Sequence, residues 1–351
     1  MIRSFAPHHA PRSALLALLA LATLAWPLLA APGVAVLCYH HIDDRELSGY
    51  SVKPSEFEQQ MEYLASNGFH VLPLTEVVAR LEGKDKTPFP EKAVAITFDD
   101  GYRCAHDRAL PVLRKHRFHS TWFLYPAFVG PKGDKLPWDV YKQLATDPLI
   151  DFQSHSTTHP NFAKMARTMA PEAYAKEVQK ELAGSRKTLE SHLGKPIDQL
   201  AWPFGIYDEQ LCKWAAEAGY RALYTVNGSA NAPSCGPKSI SRVMVMYADG
   251  PKAFARKAAG QALELEIQSP KDGAILENGP YRVSARITDP EARLETVKGV
   301  SAGASGKVDP ATGVLTMSAP KAIKPGVHIV TVTASGKSGG FRQATWLFRS
   351  K

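Results

Sequence analysis

Ala93-Val94-Ala95-Ile96-Thr97-Phe98-Asp99-Asp100-Gly101-Tyr102 is an apolar run that ends in two adjacent carboxylates and a glycine. The run reads as a strand buried on both faces, as in a parallel sheet, and it delivers acid groups to an open loop. Successive side chains of an extended backbone point to opposite sides, so Asp99 and Asp100 are free to do different work. Taken alone, Asp-Asp-Gly is also an ordinary turn. A second stretch shifts the balance. In Asp151-Phe152-Gln153-Ser154-His155-Ser156-Thr157-Thr158-His159-Pro160, another short apolar segment runs into two histidines. Pro160 disfavours helical geometry at His159, which places the pair in a loop or first turn at a strand end. Asp100, His155 and His159 together make a two-histidine, one-carboxylate set with open positions, which suits zinc or another divalent transition metal doing water chemistry.

From about residue 33 to 260, strand-like and helix-like segments alternate. Ser55-Glu56-Phe57-Glu58 has the form of a capping box, and Phe57, Met61 and Leu64 then recur at helical spacing until Asn67-Gly68. Further helices are predicted over 75–82, 107–115, 138–145, 172–193 and 208–218, with strands near 120–124 and 222–226. Repeated strand–helix units imply parallel strands with helices outside, closed into a barrel. In such barrels the chemistry gathers where strand C-termini open into loops. His40, Asp99, Asp100, His155, His159 and Trp202-Pro203-Phe204 each follow an apolar run, so independent segments point to one rim.

These motifs resemble the polysaccharide deacetylases of NodB-homology type, carbohydrate esterase family four. The resemblance rests on Thr97-Phe98-Asp99-Asp100-Gly101 and His155-Ser156-Thr157-Thr158-His159-Pro160. It implies a distorted (β/α) barrel over 33–258, with Asp99 as general base and Asp100, His155 and His159 holding a divalent ion. Zinc is the expected ion, with cobalt and nickel as alternatives. The third motif departs from the family pattern, since Ala201-Trp202-Pro203-Phe204-Gly205 carries Ala201 where the family has arginine. No terminal histidine motif is found to supply the general acid. Val34-Ala35-Val36-Leu37-Cys38-Tyr39-His40-His41-Ile42 resembles instead the circularly permuted subgroup that acts on poly-β-1,6-N-acetylglucosamine, which implies His40 as the acid. Trp202, Pro203, Phe204 and Leu223 are the expected substrate contacts, with a backbone N–H near Phe204 for the oxyanion. Trp and Leu beside a strand are also ordinary core residues.

The first 30 residues read as a secretory signal peptide: Arg3 and Arg12 precede Ala14-Leu15-Leu16-Ala17-Leu18-Leu19-Ala20-Leu21-Ala22, and small residues near Ala30 suit cleavage. Export to the periplasm or cell envelope follows, and there Cys38, Cys104, Cys212 and Cys235 allow one or two disulfides. The formal charge of +8 favours loose attraction to anionic envelope polymers, while no basic run interleaved with aromatics points to nucleic acid. Beyond residue 261 the period changes to two, in Leu263-Glu264-Leu265-Glu266-Ile267, Tyr281-Arg282-Val283-Ser284-Ala285-Arg286-Ile287 and Val327-His328-Ile329-Val330-Thr331-Val332. Residues 262–351 therefore read as a small immunoglobulin-like β-sandwich. Glycan binding, docking to envelope export machinery and simple spacing all remain open for it. The expected activity is metal-dependent N-deacetylation of a GlcNAc-containing polysaccharide. The alternatives are a peptidoglycan, chitin-type or O-acetyl glycan deacetylase, or a catalytically weak glycan-binding protein that keeps the fold.

Overall fold

The computed structural model describes Met1 and residues 33–319 and 322–351. The signal-peptide segment falls outside the described residues, apart from Met1. Seven parallel strands form the barrel path of the first sheet: β1 Val34–Tyr39, β2 Ala93–Asp99, β3 Ser120–Leu124, β4 Ile150–Ser154, β5 Gln199–Ala201, β6 Ala222–Tyr224 and β7 Arg242–Met244, and an eighth short strand, His70–Val71, pairs with β2 off that path. They lie side by side in the order β7-β1-β2-β3-β4-β5-β6. A parallel bridge from Tyr224 to Ile240, just before β7, nearly closes the sheet into a barrel. Outside it run α1 Pro54–Ser66, α2 Leu74–Leu81, α3 Leu110–His116, α4 Trp138–Leu144, α5 Phe162–Thr168, α6 Pro171–Leu193, α7 Glu209–Glu217 and α8 Pro251–Ala258.

Alternate residues of one strand enter two different apolar clusters, as the pleat requires. On β1 and β2, Ala35, Leu37, Tyr39, Val94, Ile96 and Phe98 join the large cluster with the helices. Val34, Val36, Ala93 and Ala95 join a smaller one with Phe123, Ala201, Ala222 and Tyr224, into which α2 inserts Leu74, Val77, Val78 and Leu81. Asp99 has the parity of Ala93 and Ala95, so it is carried to the same side as this second cluster.

Two local expectations are corrected. Ser55 is not an N-cap: α1 starts one residue earlier at Pro54, Lys53 is the cap residue, and no side chain caps it. Proline at the first helical position brings a preset φ and has no N–H to satisfy. The helix expected over 107–115 begins instead as a π-turn, Ala105–Ala109, before α3. Pro111 has no N–H to return to a preceding carbonyl, and the wider turn absorbs that loss. The four cysteines are free thiols, so neither disulfide is formed.

The C-terminal unit is all-β. Its main strands are β8 Leu265–Ser269, β9 Tyr281–Ile287, β10 Lys298–Ser301, β11 Ala304–Asp309, β12 Val314–Ala319, β13 Gly326–Ser335 and β14 Phe341–Ser350. They connect through hydrogen bonds in the order β14-β13-β10-β11-β12-β9-β8. The Tyr281 and Phe348 rings nevertheless meet at 5.1 Å, so the sheet curls and its halves face each other like the layers of a sandwich. Val283, Ala285, Leu315, Met317, Val330, Val332 and Trp346 fill the space between. Leu347 packs into the large cluster of the barrel instead. Arg349 pairs with Asp208, Tyr207 donates to Asp272, and Gln343 donates to the Gly228 carbonyl at 2.9 Å, which joins the two units.

Candidate active site

The C-terminal ends of β1, β2 and β4 bring His40, Asp99, Asp100, His155 and His159 together. Asp100, His155 and His159 present ligand atoms within 4.8 Å of one another. His155 Nε2 and His159 Nε2 lie 3.8 and 3.7 Å from Asp100 Oδ1. The His155 Nδ1 lies 2.7 Å from the Ala201 carbonyl oxygen, which fixes the ring so that Nδ1–H donates and Nε2 is left as a bare donor atom. Burial pushes the His155 pKa down to about 3, so the imidazole is neutral, as a metal ligand must be. Burial also raises the Asp100 carboxyl to about 6. Its Oδ1 is buried with no hydrogen-bond partner among the described residues. An orphaned carboxylate oxygen facing two free imidazole nitrogens fits a divalent ion of zinc class.

Asp99 is differently placed. It is 3 % exposed, and Arg242, fully buried on β7, holds it with both terminal nitrogens, Nη1–Oδ1 at 2.6 Å and Nη2–Oδ2 at 2.7 Å. Burial pushes this carboxyl up, but the Arg242 guanidinium, with His155 adding to it, outweighs burial and holds it well below the usual carboxylate range. His40 Nε2 sits 3.9 Å from Asp99 Oδ2, and burial lowers its pKa against the pull of both carboxylates.

The backbone that carries these groups is bent into unusual conformations. Asp100, Ser156, His159 and Phe204 all have positive φ, between 58° and 70°. Residues held in that region cost stability and persist only where neighbours over-determine them. At Gly101, also with positive φ, a Cβ would lie 2.7 Å from both Leu124 Cδ2 and Tyr141 Oη, so the turn after Asp100 admits only glycine. The His155–His159 loop is held from below by Glu181 of α6. Its buried carboxylate accepts from Thr157 N at 2.9 Å, Thr158 N at 2.8 Å and Thr158 Oγ1 at 2.7 Å.

The remaining expected residues divide. Phe204 is 55 % exposed, with its ring 4.7 Å from that of His159. Pro203 is buried beside it. Trp202 and Leu223, at 0 % and 2 % exposure, belong to the apolar core beneath the rim.

Two residues escaped the sequence reading. Arg242 supplies the guanidinium that Ala201 does not, from a strand far along the chain; its signal was a charge inside the run Ile240-Ser241-Arg242-Val243. Glu181 sits on the buried stripe of α6 with Val178, Leu182, Ser185 and Leu189, where an unpaired acid has no structural reason to be.

The comparisons with known proteins point to one family. A family model described as polysaccharide deacetylase matches residues 86–223. YxkH of Bacillus subtilis (strain 168), named as a candidate polysaccharide deacetylase, is 31% identical over 235 residues, 66% of this chain and 78% of its own. The poly-β-1,6-N-acetyl-D-glucosamine N-deacetylase of Staphylococcus aureus (strain MRSA252) is 26% identical over 211 residues, 59% of this chain and 72% of its own. Among solved structures, IcaB from Ammonifex degensii superposes with a TM-score of 0.57 at 26% identity, covering 66% of this chain and 97% of that one.

Proposed function

Because the chain belongs to the polysaccharide deacetylases, we propose that it removes N-acetyl groups from a GlcNAc-containing polysaccharide of the poly-β-1,6 type, in a metal-dependent hydrolysis carried out after export to the cell envelope. The observation that carries this reading is the meeting of Asp100, His155 and His159 beside an ionised Asp99 on one rim. Asp100, His155 and His159 would hold a divalent ion, zinc foremost, which would supply Lewis acidity toward the acetyl carbonyl and the attacking water. Asp99 takes the proton of the attacking water. The Arg242 pair keeps Asp99 ionised and fixes its direction, at some cost in basicity.

Water oxygen bonds to the carbonyl carbon, and the Phe204 N–H serves the oxyanion that forms. Neighbouring N–H groups are committed elsewhere: Gly205 N donates to Trp202 O at 2.8 Å and Ile206 N to Pro203 O at 3.3 Å. His40 gives a proton to the departing nitrogen as the C–N bond breaks, which leaves acetate and a free sugar amine. Its Nε2 lies 3.9 Å from Asp99 Oδ2, beyond direct hydrogen-bond reach, so the proton that Asp99 collects from the water reaches His40 through an intervening water or a small turn of the ring. Phe204 packs against the sugar, while Pro203, Trp202 and Leu223 back the acetyl methyl. Residues 1–30 act as the export signal in this reading. Among the described residues no helix is long and apolar enough to cross a membrane.

The test is acetate release from β-1,6-linked N-acetylglucosamine oligomers by protein stripped of metal and then re-supplied with zinc, cobalt or nickel, with Asp99→Asn and His40→Ala alongside. Metal-dependent release lost in Asp99→Asn, and sharply reduced in a His40→Ala protein that still binds metal, is the expected result. Release only from chitin or peptidoglycan fragments replaces the substrate. Silence on every acetylated glycan overturns the enzyme reading.

A further inference from the structure

A second group of metal-ligating side chains lies on the same rim and plays no part in the chemistry above. His41, two residues beyond β1 in a short strand with Ile42, Cys104, in the turn before α3, and Asp134, in the loop before α4, place one nitrogen, one sulfur and one oxygen within 4.8 Å of one another. His41 Nδ1 lies 3.5 Å from Asp134 Oδ2. That nitrogen is buried and has no hydrogen-bond partner among the described residues. The ring is fixed face to face with Tyr102, centroids 3.6 Å apart, so its direction is set before any ligand arrives.

The sulfur is prepared in a different way. Cys104 is buried and unpaired; burial pushes its thiol up to about 12, and the Ile42 N–H that its Sγ accepts at 3.3 Å pulls the other way, so the thiolate forms only with the charge of a bound cation beside it. Asp134 comes from a loop that Arg103 holds in place: Arg103 N donates to Asp134 O at 3.1 Å, and its side chain donates to Gly133 O at 3.3 Å and Lys135 O at 2.7 Å. The Asp134 side chain is 40 % exposed, so the side facing solvent is open to a water as fourth ligand.

We propose that His41, Cys104 and Asp134 form a second metal site, taking one soft divalent ion of zinc class, separate from the Asp100, His155 and His159 site. A thiolate with an imidazole selects zinc over calcium or magnesium, whose sites are built from oxygen. On binding, Cys104 gives up its thiol proton to solvent and His41 coordinates as the neutral imidazole. The ion ties together the short strand after β1, the turn after Tyr102 and the loop around Asp134. The third candidate cluster, Cys38, His40 and Asp99, carries no such site, since Arg242 already occupies both oxygens of Asp99.

Cobalt titration of the reduced full chain tests this, because only a sulfur ligand gives a near-ultraviolet thiolate-to-cobalt band and the Asp100, His155 and His159 set has none. Two equivalents per chain with that band are expected, and one equivalent that keeps the band in a His155→Ala protein. Cys104→Ser removes the band, Cys38→Ser keeps it, and Asp134→Ala, at a position whose side chain is 40 % exposed, weakens the second equivalent by more than about tenfold. Saturation at one equivalent without the band, a band that survives Cys104→Ser, or an unchanged second affinity in Asp134→Ala overturns the assignment.

Discussion

Replacing Arg242 by methionine keeps the length of the buried stem but removes the guanidinium. Asp99 then loses the bonds at 2.6 and 2.7 Å, and Thr225 O loses the donor at 3.1 Å. An ionised carboxylate left without its cation at 3 % exposure, with only the Cys38 thiol still donating to it, costs several kcal/mol, and removing one member of a buried pair typically costs about 3–5 kcal/mol. Protonation sets a ceiling on the charge part of that cost. Neutralising a carboxyl of ordinary pKa takes about 4 kcal/mol at about pH 7, and about 1.4 kcal/mol less for each unit of acidification.

The sign follows from the direction of each shift. In the parent protein the folded Asp99 pKa is depressed, so its contribution to stability is present above the unfolded carboxylate pKa and is lost only as pH falls through the low folded value. Between about pH 7 and pH 5 it is constant. In the variant, burial acts unopposed by the guanidinium and the folded pKa rises above the unfolded one. The penalty is then full at neutral pH and is relieved by acid. The gap between the two proteins, from denaturant midpoints followed on Trp122 and Trp202, therefore starts at about 4 kcal/mol and shrinks by more than half on going from about pH 7 to pH 5. Arg242→Met combined with Asp99→Asn recovers much of the loss at neutral pH. A gap that stays constant with pH, or a double variant no more stable than the single, refutes the reasoning.

Glu181→Gln replaces an anion that accepts three hydrogen bonds with an amide that turns donors toward donors. The metal affinity of the Asp100, His155 and His159 site should fall by about 10- to 100-fold in chelator competition, and an unchanged affinity removes Glu181 from the support of that loop. Phe204→Gly relieves a positive φ and deletes an exposed ring, so the melting temperature should hold or rise while KM for acetylated oligomers increases; a drop in melting temperature shows that the ring is structural. Arg349→Ala leaves Asp208 buried without its partner at the junction of the two units, and should destabilise by about 3 kcal/mol or more at neutral pH; a loss under about 1 kcal/mol shows the junction to be held by Leu347 and the apolar contacts alone.

The barrel and most of its rim were legible in the sequence because their signals are local. Buried parallel strands announce themselves as apolar runs, and each run ended in the side chains that the fold then gathers. The misses have physical reasons. Pro54 outweighed the capping signal at Ser55, because a preset φ at the first helical position needs no side-chain cap. Pro111 widened a turn that periodicity alone reads as plain helix. Arg242 and Glu181 act on partners 143 and 23 to 24 residues away, so nothing next to either names its partner. What the sequence does show is the anomaly itself, a charge in an apolar strand and an acid on an apolar helical stripe.

These two anomalies belong to one arrangement. Four non-glycine residues around the rim sit at positive φ, and such a backbone persists only if something else holds it. Glu181 holds the His155–His159 loop through its amides. Arg242 ties β7 to the last residue of β2, directly before the strained Asp100. The loop after Phe204 is held from the C-terminal unit, where Asp272 accepts from Tyr207 and Arg349 pairs with Asp208. Buried, fully paired polar contacts are stiff because breaking any one of them strands a charge or a donor in apolar surroundings. The C-terminal β-unit is thus part of the frame that fixes the rim, whatever else it binds.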